Sequence, residues 1–168
     1  YSIHFAKDKQ HGFAVGSDNT IVHTRDGGFR WERQDAPTDV TFSGVWVRDA
    51  ENAIAVGSRG TIVKTTNGGK DWSRVTVDAR DHFYSIVFAG ADAKTGWITG
   101  TYGRILKTTD GGLTWQTQAV DTKEHILKVS AFDADHAAAV GLGGTVLFTN
   151  DGGTNWVVTG PCSGAVVS

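Results

Sequence analysis

The side chains best suited to chemistry recur in register. Asp26, Asp110 and Asp151 each precede two glycines, and Asn67 takes the same place once. A tryptophan follows five residues on in each case, at Trp31, Trp72, Trp115 and Trp156. Repeated carboxylates could ligate a hard cation, and repeated indoles could stack on sugar rings. A plainer reading accounts for both. An Asp or Asn side chain ahead of Gly-Gly accepts hydrogen bonds from backbone N–H groups about two residues on and closes a turn, with the preceding Thr hydroxyl adding a weaker bond. A tryptophan just beyond that turn buries roughly 200 Å² when wedged between neighbouring layers. All eight box residues are therefore expected to be structural, and no metal or cofactor is expected.

The six histidines, His4, His11, His23, His82, His125 and His136, share no repeat position. They are expected to be single surface or edge imidazoles, since zinc sites need ligands at fixed spacing. Cys162 is the only cysteine. It excludes an intramolecular disulfide, and with no partner base in sequence it is expected to be inert.

The elements that must hold these residues follow from periodicity. The segments Thr24–Trp31, Thr65–Trp72, Thr108–Trp115 and Thr149–Trp156 repeat at 41–43 residues. Upstream of each lies a second unit: Ala14-Val15-Gly16, Ala55-Val56-Gly57, Ile98-Thr99-Gly100 and Ala139-Val140-Gly141. A short apolar run follows it, at Ile21-Val22, Ile62-Val63, Ile105-Leu106 and Val146-Leu147. The two units hold most of the 22 glycines, so the glycine excess over a usual ~7% is turn chemistry written four times. Each repeat predicts four short strands joined by tight turns, which uses about 40 residues. No stretch has apolar residues at helical spacing, so no helix is expected. A four-stranded antiparallel unit at this period is a β-propeller blade.

Composition narrows the class further. A chain of 168 residues can bury a sizeable core as one domain. Charged residues make up 20% and the formal net charge is −2, which excludes a disordered polyelectrolyte and argues against nucleic acid as partner. No apolar run approaches the ~18 residues of a membrane helix. The sequence starts at Tyr1 without a methionine, so a processed product or a piece of a longer chain is expected. An exported location (periplasm, thylakoid lumen or extracellular space) is expected over the cytoplasm.

The T-x-D-G-G-x-x-W segments resemble the Asp-box, or BNR repeat. Together with A-V-G-x-x-G-x-I-x-x-T upstream they are similar to the photosystem II stability/assembly factor family, over roughly residues 2–159. The resemblance implies an all-β propeller, typically of about seven blades, that serves as a non-enzymatic assembly scaffold. Asn67 for Asp and Ile98-Thr99 for Ala-Val are departures compatible with the same turn and strand. Asp-boxes also occur in sialidases, but an arginine triad, an Arg-Ile-Pro segment and a Tyr–Glu pair are not legible here; Arg104-Ile105-Leu106 lacks the proline. No enzyme activity is expected, and an exported glycan-binding or sialidase-like glycoside hydrolase is the alternative.

Residues 1–168 are expected to form a single propeller domain with blades at about 2–35, 42–78, 83–120 and 125–159, and with 160–168 as tail or closing strand. Four blades admit three arrangements: a small closed ring, a ring completed by a second copy, or part of a longer propeller. Function is expected where the repeats differ, on the face bearing the second-to-third-strand turns and the inter-blade loops. Arg59, Arg80, His82, Tyr102, Arg104 and Lys123 form a mixed basic and aromatic set there, of the types favoured as interface anchors. Members of the resembled family present a basic patch to a membrane-protein subunit, and Arg59 and Arg104 are the candidates for that part. The expected partner is thus a protein, with a membrane-complex subunit as the instance.

Overall fold

The structure, a computed structural model, describes residues 1–160. Each repeat forms one four-stranded antiparallel sheet with its strands side by side in chain order. Blade 1 holds β1 (Ser2–Phe5), β2 (Gly12–Val15), β3 (Ile21–Thr24) and β4 (Glu32–Gln34). Blade 2 holds β5 (Phe42–Val47), β6 (Ala53–Gly57), β7 (Ile62–Thr65) and β8 (Ser73–Arg74). Blade 3 holds β9 (Phe83–Ala89), β10 (Thr95–Gly100), β11 (Ile105–Thr108) and β12 (Gln116–Gln118). Blade 4 holds β13 (Ile126–Ala131), β14 (Ala137–Gly141), β15 (Val146–Thr149) and β16 (Val157–Thr159). The expectation of no helix needs one small correction. Single 3-10 turns at Thr101–Gly103 and Leu142–Gly144 occupy two of the second-to-third-strand connections.

Alternation along each strand gives every blade two apolar faces. In β5, Val45 and Val47 pack on blade 1 while Trp46 faces blade 3. Three seams result. Phe13, Val15 and Ile21 of blade 1 meet Ala55, Val63 and Trp72 of blade 2. Ile54, Val56 and Ile62 meet Ile86, Phe88 and Leu106 of blade 3. Ala89, Trp97 and Ile105 meet Val129, Leu147 and Trp156 of blade 4. The innermost strands β1, β5, β9 and β13 adjoin in that order.

The result is a propeller arc. No apolar cluster joins blade 4 back to blade 1 among the described residues. Ile3 is 59% exposed where its counterparts Val45 and Val129 are 4% and 3% exposed, and Val140, Val146, Phe148 and Val157 of blade 4 are also open. The small closed ring of four is therefore corrected to an open arc. Side-chain size fixes the step between packed sheets, and the three steps among these blades leave the two end faces uncovered. The expected closing strand at 160–168, beyond Gly160, and Cys162 lie outside the described residues.

The boxes share one hydrogen-bond pattern, with two corrections to the expected chemistry. The box threonine is the buried hub rather than an accessory: Thr24, Thr65, Thr108 and Thr149 are all buried. Each Oγ1 accepts the N–H of the second glycine at 2.8–3.0 Å and donates to the Asp or Asn oxygen at 2.8–3.1 Å. That oxygen then accepts a backbone N–H four residues on, not two, at 2.9 Å in every repeat. Both glycines of each box have positive φ, as at Gly111 and Gly112 (73° and 85°), which favours glycine at these positions.

Three of the box tryptophans act as wedges. Trp72 meets Phe13 of blade 1 edge-on at 5.5 Å, Trp115 lies against the second seam, and Trp156 Nε1 donates to Gln118 Oε1 across the third at 2.9 Å. Trp31 does not wedge between sheets and stays 37% exposed, because no sheet among the described residues packs on that face of blade 1. Its ring leans on Phe5 instead, and Nε1 donates to Gly28 O at 3.0 Å.

Candidate functional site

Two rims emerge from this framework. On one, each box turn is tied to the first-to-second-strand turn of its own blade, with the N–H groups of Gly27, Gly68, Gly111 and Gly152 donating to the carbonyls of Gln10, Glu51, Lys94 and Asp135. On the other, each second-to-third-strand turn rests on the next inter-blade loop: Asn19 N–H donates to Val40 O at 2.9 Å, Gly60 to Asp81 O at 2.6 Å and Gly103 to Glu124 O at 2.8 Å. A Cβ at Gly60 or Gly103 would collide with the carbonyl of Ala79 or Thr122, so glycine is required for this close approach. The preceding residue then takes a left-handed conformation, at Arg59 (φ 56°), Tyr102 (φ 53°) and Gly143 (φ 64°).

This second rim carries the candidate residues. Arg80, His82, Tyr102 and Arg104 come together around a depression of about 680 Å³ at blade 3, which Asp81, Tyr84, Thr101 and His125 also line. Tyr84 stacks on His125 at 6.2 Å, and Tyr102 meets the same imidazole edge-on at 5.0 Å. Arg104 is partly committed inside the protein, with Nε donating to Asp81 Oδ2 at 2.8 Å and Nη1 to Thr117 Oγ1 at 3.3 Å. Arg59 and Lys123 do not line the depression. Arg59 projects beside it, 68% exposed and 3.6 Å from Asp39, on the turn whose Gly60 holds Asp81. Lys123 is exposed on the loop that holds Gly103.

Asp81, Tyr84 and His125 were missed by the sequence reading. The signal for His125 was available: His82 and His125 each stand immediately before a first strand, and their carbonyls accept the N–H of Thr101 and Leu142 at 3.0 and 2.9 Å. The statement that no histidines share a repeat position is thereby corrected, because residues match by strand register rather than by distance to a glycine. His11 and His136 form a second matched pair, each ring against an aspartate three residues earlier, Asp8 or Asp133. His23 is not a surface imidazole either. It is buried, stacks on Phe13 at 4.1 Å, and desolvation, aided by Arg25 and His11, lowers its pKa to about 4. His4 Nδ1 accepts the Val47 N–H at the first seam. Among the described residues no three His, Cys, Asp or Glu side chains gather as metal ligands.

The family described as Photosynthesis system II assembly factor YCF48 matches residues 1–81 and again residues 75–159. The chain belongs to this family. No curated protein sequence matches it. Among solved structures, YCF48 bound to D1 peptide is 24% identical with a TM-score of 0.76, covering 96% of this chain and 53% of that one. YCF48 from Cyanidioschyzon merolae is 22% identical with a TM-score of 0.74, covering 96% and 56%. The GH74 enzyme of Niastella koreensis shares the blade geometry at 16% identity, with a TM-score of 0.78 over 96% of this chain and 30% of that one. The chain thus spans about half the length of the YCF48 structures it matches, and their likeness shows the fold.

Proposed function

We propose that the chain is a non-enzymatic scaffold that binds an extended segment of a protein partner, a membrane-complex subunit, along the rim of blades 2 and 3. The observation that carries this reading is the backbone at Arg59 and Tyr102. A left-handed conformation costs a residue with a Cβ about 1 kcal/mol, and blade 4 meets the same requirement with Gly143. At blades 2 and 3 the strained position instead displays an exposed guanidinium and a 71% exposed phenol. Strain of this kind collects where a side chain must be presented. Arg and Tyr are also the residue types that anchor interfaces, with Arg80, His82, Arg104 and Lys123 alongside.

Family membership supports the scaffold role, and the solved relative bound to D1 peptide supports a peptide as ligand. An exported location goes with the same reading. A glycoside hydrolase, suggested by the GH74 likeness, would need two carboxylates across a cleft. The depression offers Asp81, and Arg104 engages it.

The test is binding of a D1 peptide, followed by fluorescence anisotropy. Arg59→Glu combined with Tyr102→Ala is expected to weaken binding at least tenfold, about 1.4 kcal/mol, with no loss of melting temperature. Unchanged affinity in the double variant would remove this rim from the function.

A further inference from the structure

One box runs its hydrogen bonds in the opposite sense to another. In blade 4 the acid comes first and an amide stands four residues on. Asp151 Oδ1 accepts the Asn155 N–H at 2.9 Å, and Asn155 Nδ2 donates to Asp151 Oδ2 at 2.8 Å. Blade 2 exchanges the two residues. Asn67 Oδ1 accepts the Asp71 N–H at 2.9 Å, and Asn67 Nδ2 donates to Asp71 Oδ2 at 2.8 Å. Amide and carboxylate have traded places while the distances stay the same. Blades 1 and 3 put Arg30 and Thr114 at the later position, so none of the four boxes sets two carboxylates face to face. The Asn67 amide supplies the donor that a second carboxylate would lack, and Asp71 is the reason that residue 67 departs from aspartate.

The exchange has a chemical consequence. Asn67 precedes Gly68, the only Asn-Gly step in the sequence. Such a step is the most prone to deamidation, because glycine has no Cβ to obstruct attack by its own nitrogen. The Gly68 nitrogen gives up its proton and bonds to Asn67 Cγ, and ammonia leaves. Water then opens the cyclic imide at either carbonyl, leaving Asp or isoaspartate. The folded box holds both reacting groups. Gly68 N–H donates to Glu51 O at 2.9 Å, and the carboxamide is bonded at both ends, its Oδ1 also accepting the Thr65 hydroxyl at 3.1 Å.

We propose that Asn67 is a deamidation site guarded by its own box: the folded turn blocks the reaction, local opening of blade 2 permits it, and the product does not rebuild the same turn. An aspartate at 67 sets a carboxylate where the amide now meets Asp71, replacing a charge-assisted hydrogen bond by a like-charge contact. Isoaspartate lengthens the main chain and breaks the spacing of the box bonds. The effect reaches the first seam. Trp72, next after Asp71, meets Phe13 of blade 1 edge-on at 5.5 Å, and a Cβ on Gly69 would lie 2.9 Å from Phe13 and 2.7 Å from Gln34. Each opening that ends in reaction therefore loosens the contact of blades 1 and 2 for good. This inference rests on the box network and is independent of the peptide-binding reading.

Peptide mapping by mass spectrometry tests the guard, after incubation at mildly alkaline pH with the chain either folded or held in denaturant. Asn67 is expected to convert in denaturant and at least roughly tenfold more slowly when folded, since reaction then waits on local opening. Equal rates, or no conversion in denaturant, would overturn the proposal. Two variants test the product by chemical denaturation. Asn67→Asp is expected to raise the unfolding equilibrium constant about tenfold, about 1.4 kcal/mol. Asn67→Asp combined with Asp71→Asn, which copies blade 4, is expected to restore it, and a folded double variant beside an unfolded single one would say the same. A single variant as stable as the unaltered chain, or a double variant no better than the single, would sink the claim that the product fails to rebuild the turn.

Discussion

On the box rim, four turns of different sequence reproduce one hydrogen-bond pattern, with threonine-to-box-residue distances of 2.8–3.1 Å. On the opposite rim, one backbone frame carries four unrelated residues, Asp18, Arg59, Tyr102 and Gly143, all at φ 53–64°. The first rim satisfies its turn polar groups locally. The second meets only its backbone needs and leaves its side chains free to vary. On the proposed function, stability resides in what recurs within the repeats and recognition in what does not.

The largest effect that would sharpen this contrast is expected at a buried hub. Thr108→Val keeps the shape but strands the Gly112 N–H and removes a donor to Asp110, so a loss of about 1–3 kcal/mol is expected by chemical denaturation. The matched change at Thr117, whose hydroxyl accepts only a long bond from the Arg104 guanidinium, is expected to stay within about 0.5 kcal/mol. Similar losses at both would dissolve the distinction.

Acid should act next, and on one rim only. Burial alone would raise the Asp110 carboxyl, but the hydroxyl and N–H of Thr114 and the Thr108 hydroxyl outweigh it and hold its pKa down to about 2. The backbone and side-chain amides of Asn155, then the Thr149 hydroxyl, hold Asp151 to about 2 as well. A carboxyl depressed in the folded state contributes stability that is complete above its unfolded value, 3.8, and is lost as pH falls through about 2. Asn67 does not titrate. Hydrogen exchange between pH 4 and 2 should loosen the boxes of blades 3 and 4 while that of blade 2 stays protected; uniform loosening would contradict the carboxylate mechanism.

The smallest effect is a gain. Tyr102→Gly relieves the left-handed strain and is expected to raise stability by up to about 1 kcal/mol in thermal unfolding. A clear loss would mean that Tyr102 serves packing rather than presentation.

Most of the fold could be read from the spacing, because Asp-Gly-Gly turns and strand alternation are local codes. What the spacing could not reveal was anything that depends on a neighbour. Trp31 has the same surroundings in sequence as Trp72, and only the sheet packed on Trp72 tells the two apart. His23 shares the face of buried Ile21, but an imidazole reads as a surface side chain until blade 2 closes over it. The site was partly legible: Arg80, His82, Tyr102 and Arg104 converge as the loop positions suggested. Tyr84 was not legible, because it enters from the first strand of its own blade, whereas His125 shares with His82 the place just ahead of a first strand. Asp81 gave no signal until its partner Arg104 was placed.

The outermost strands, β4, β8, β12 and β16, are only two or three residues long, and three of the four are polar, such as Glu32-Arg33-Gln34 and Ser73-Arg74. A margin that short cannot template another chain's backbone. Along these margins, crowded copies of this protein therefore find no zipper on which fibrils could grow.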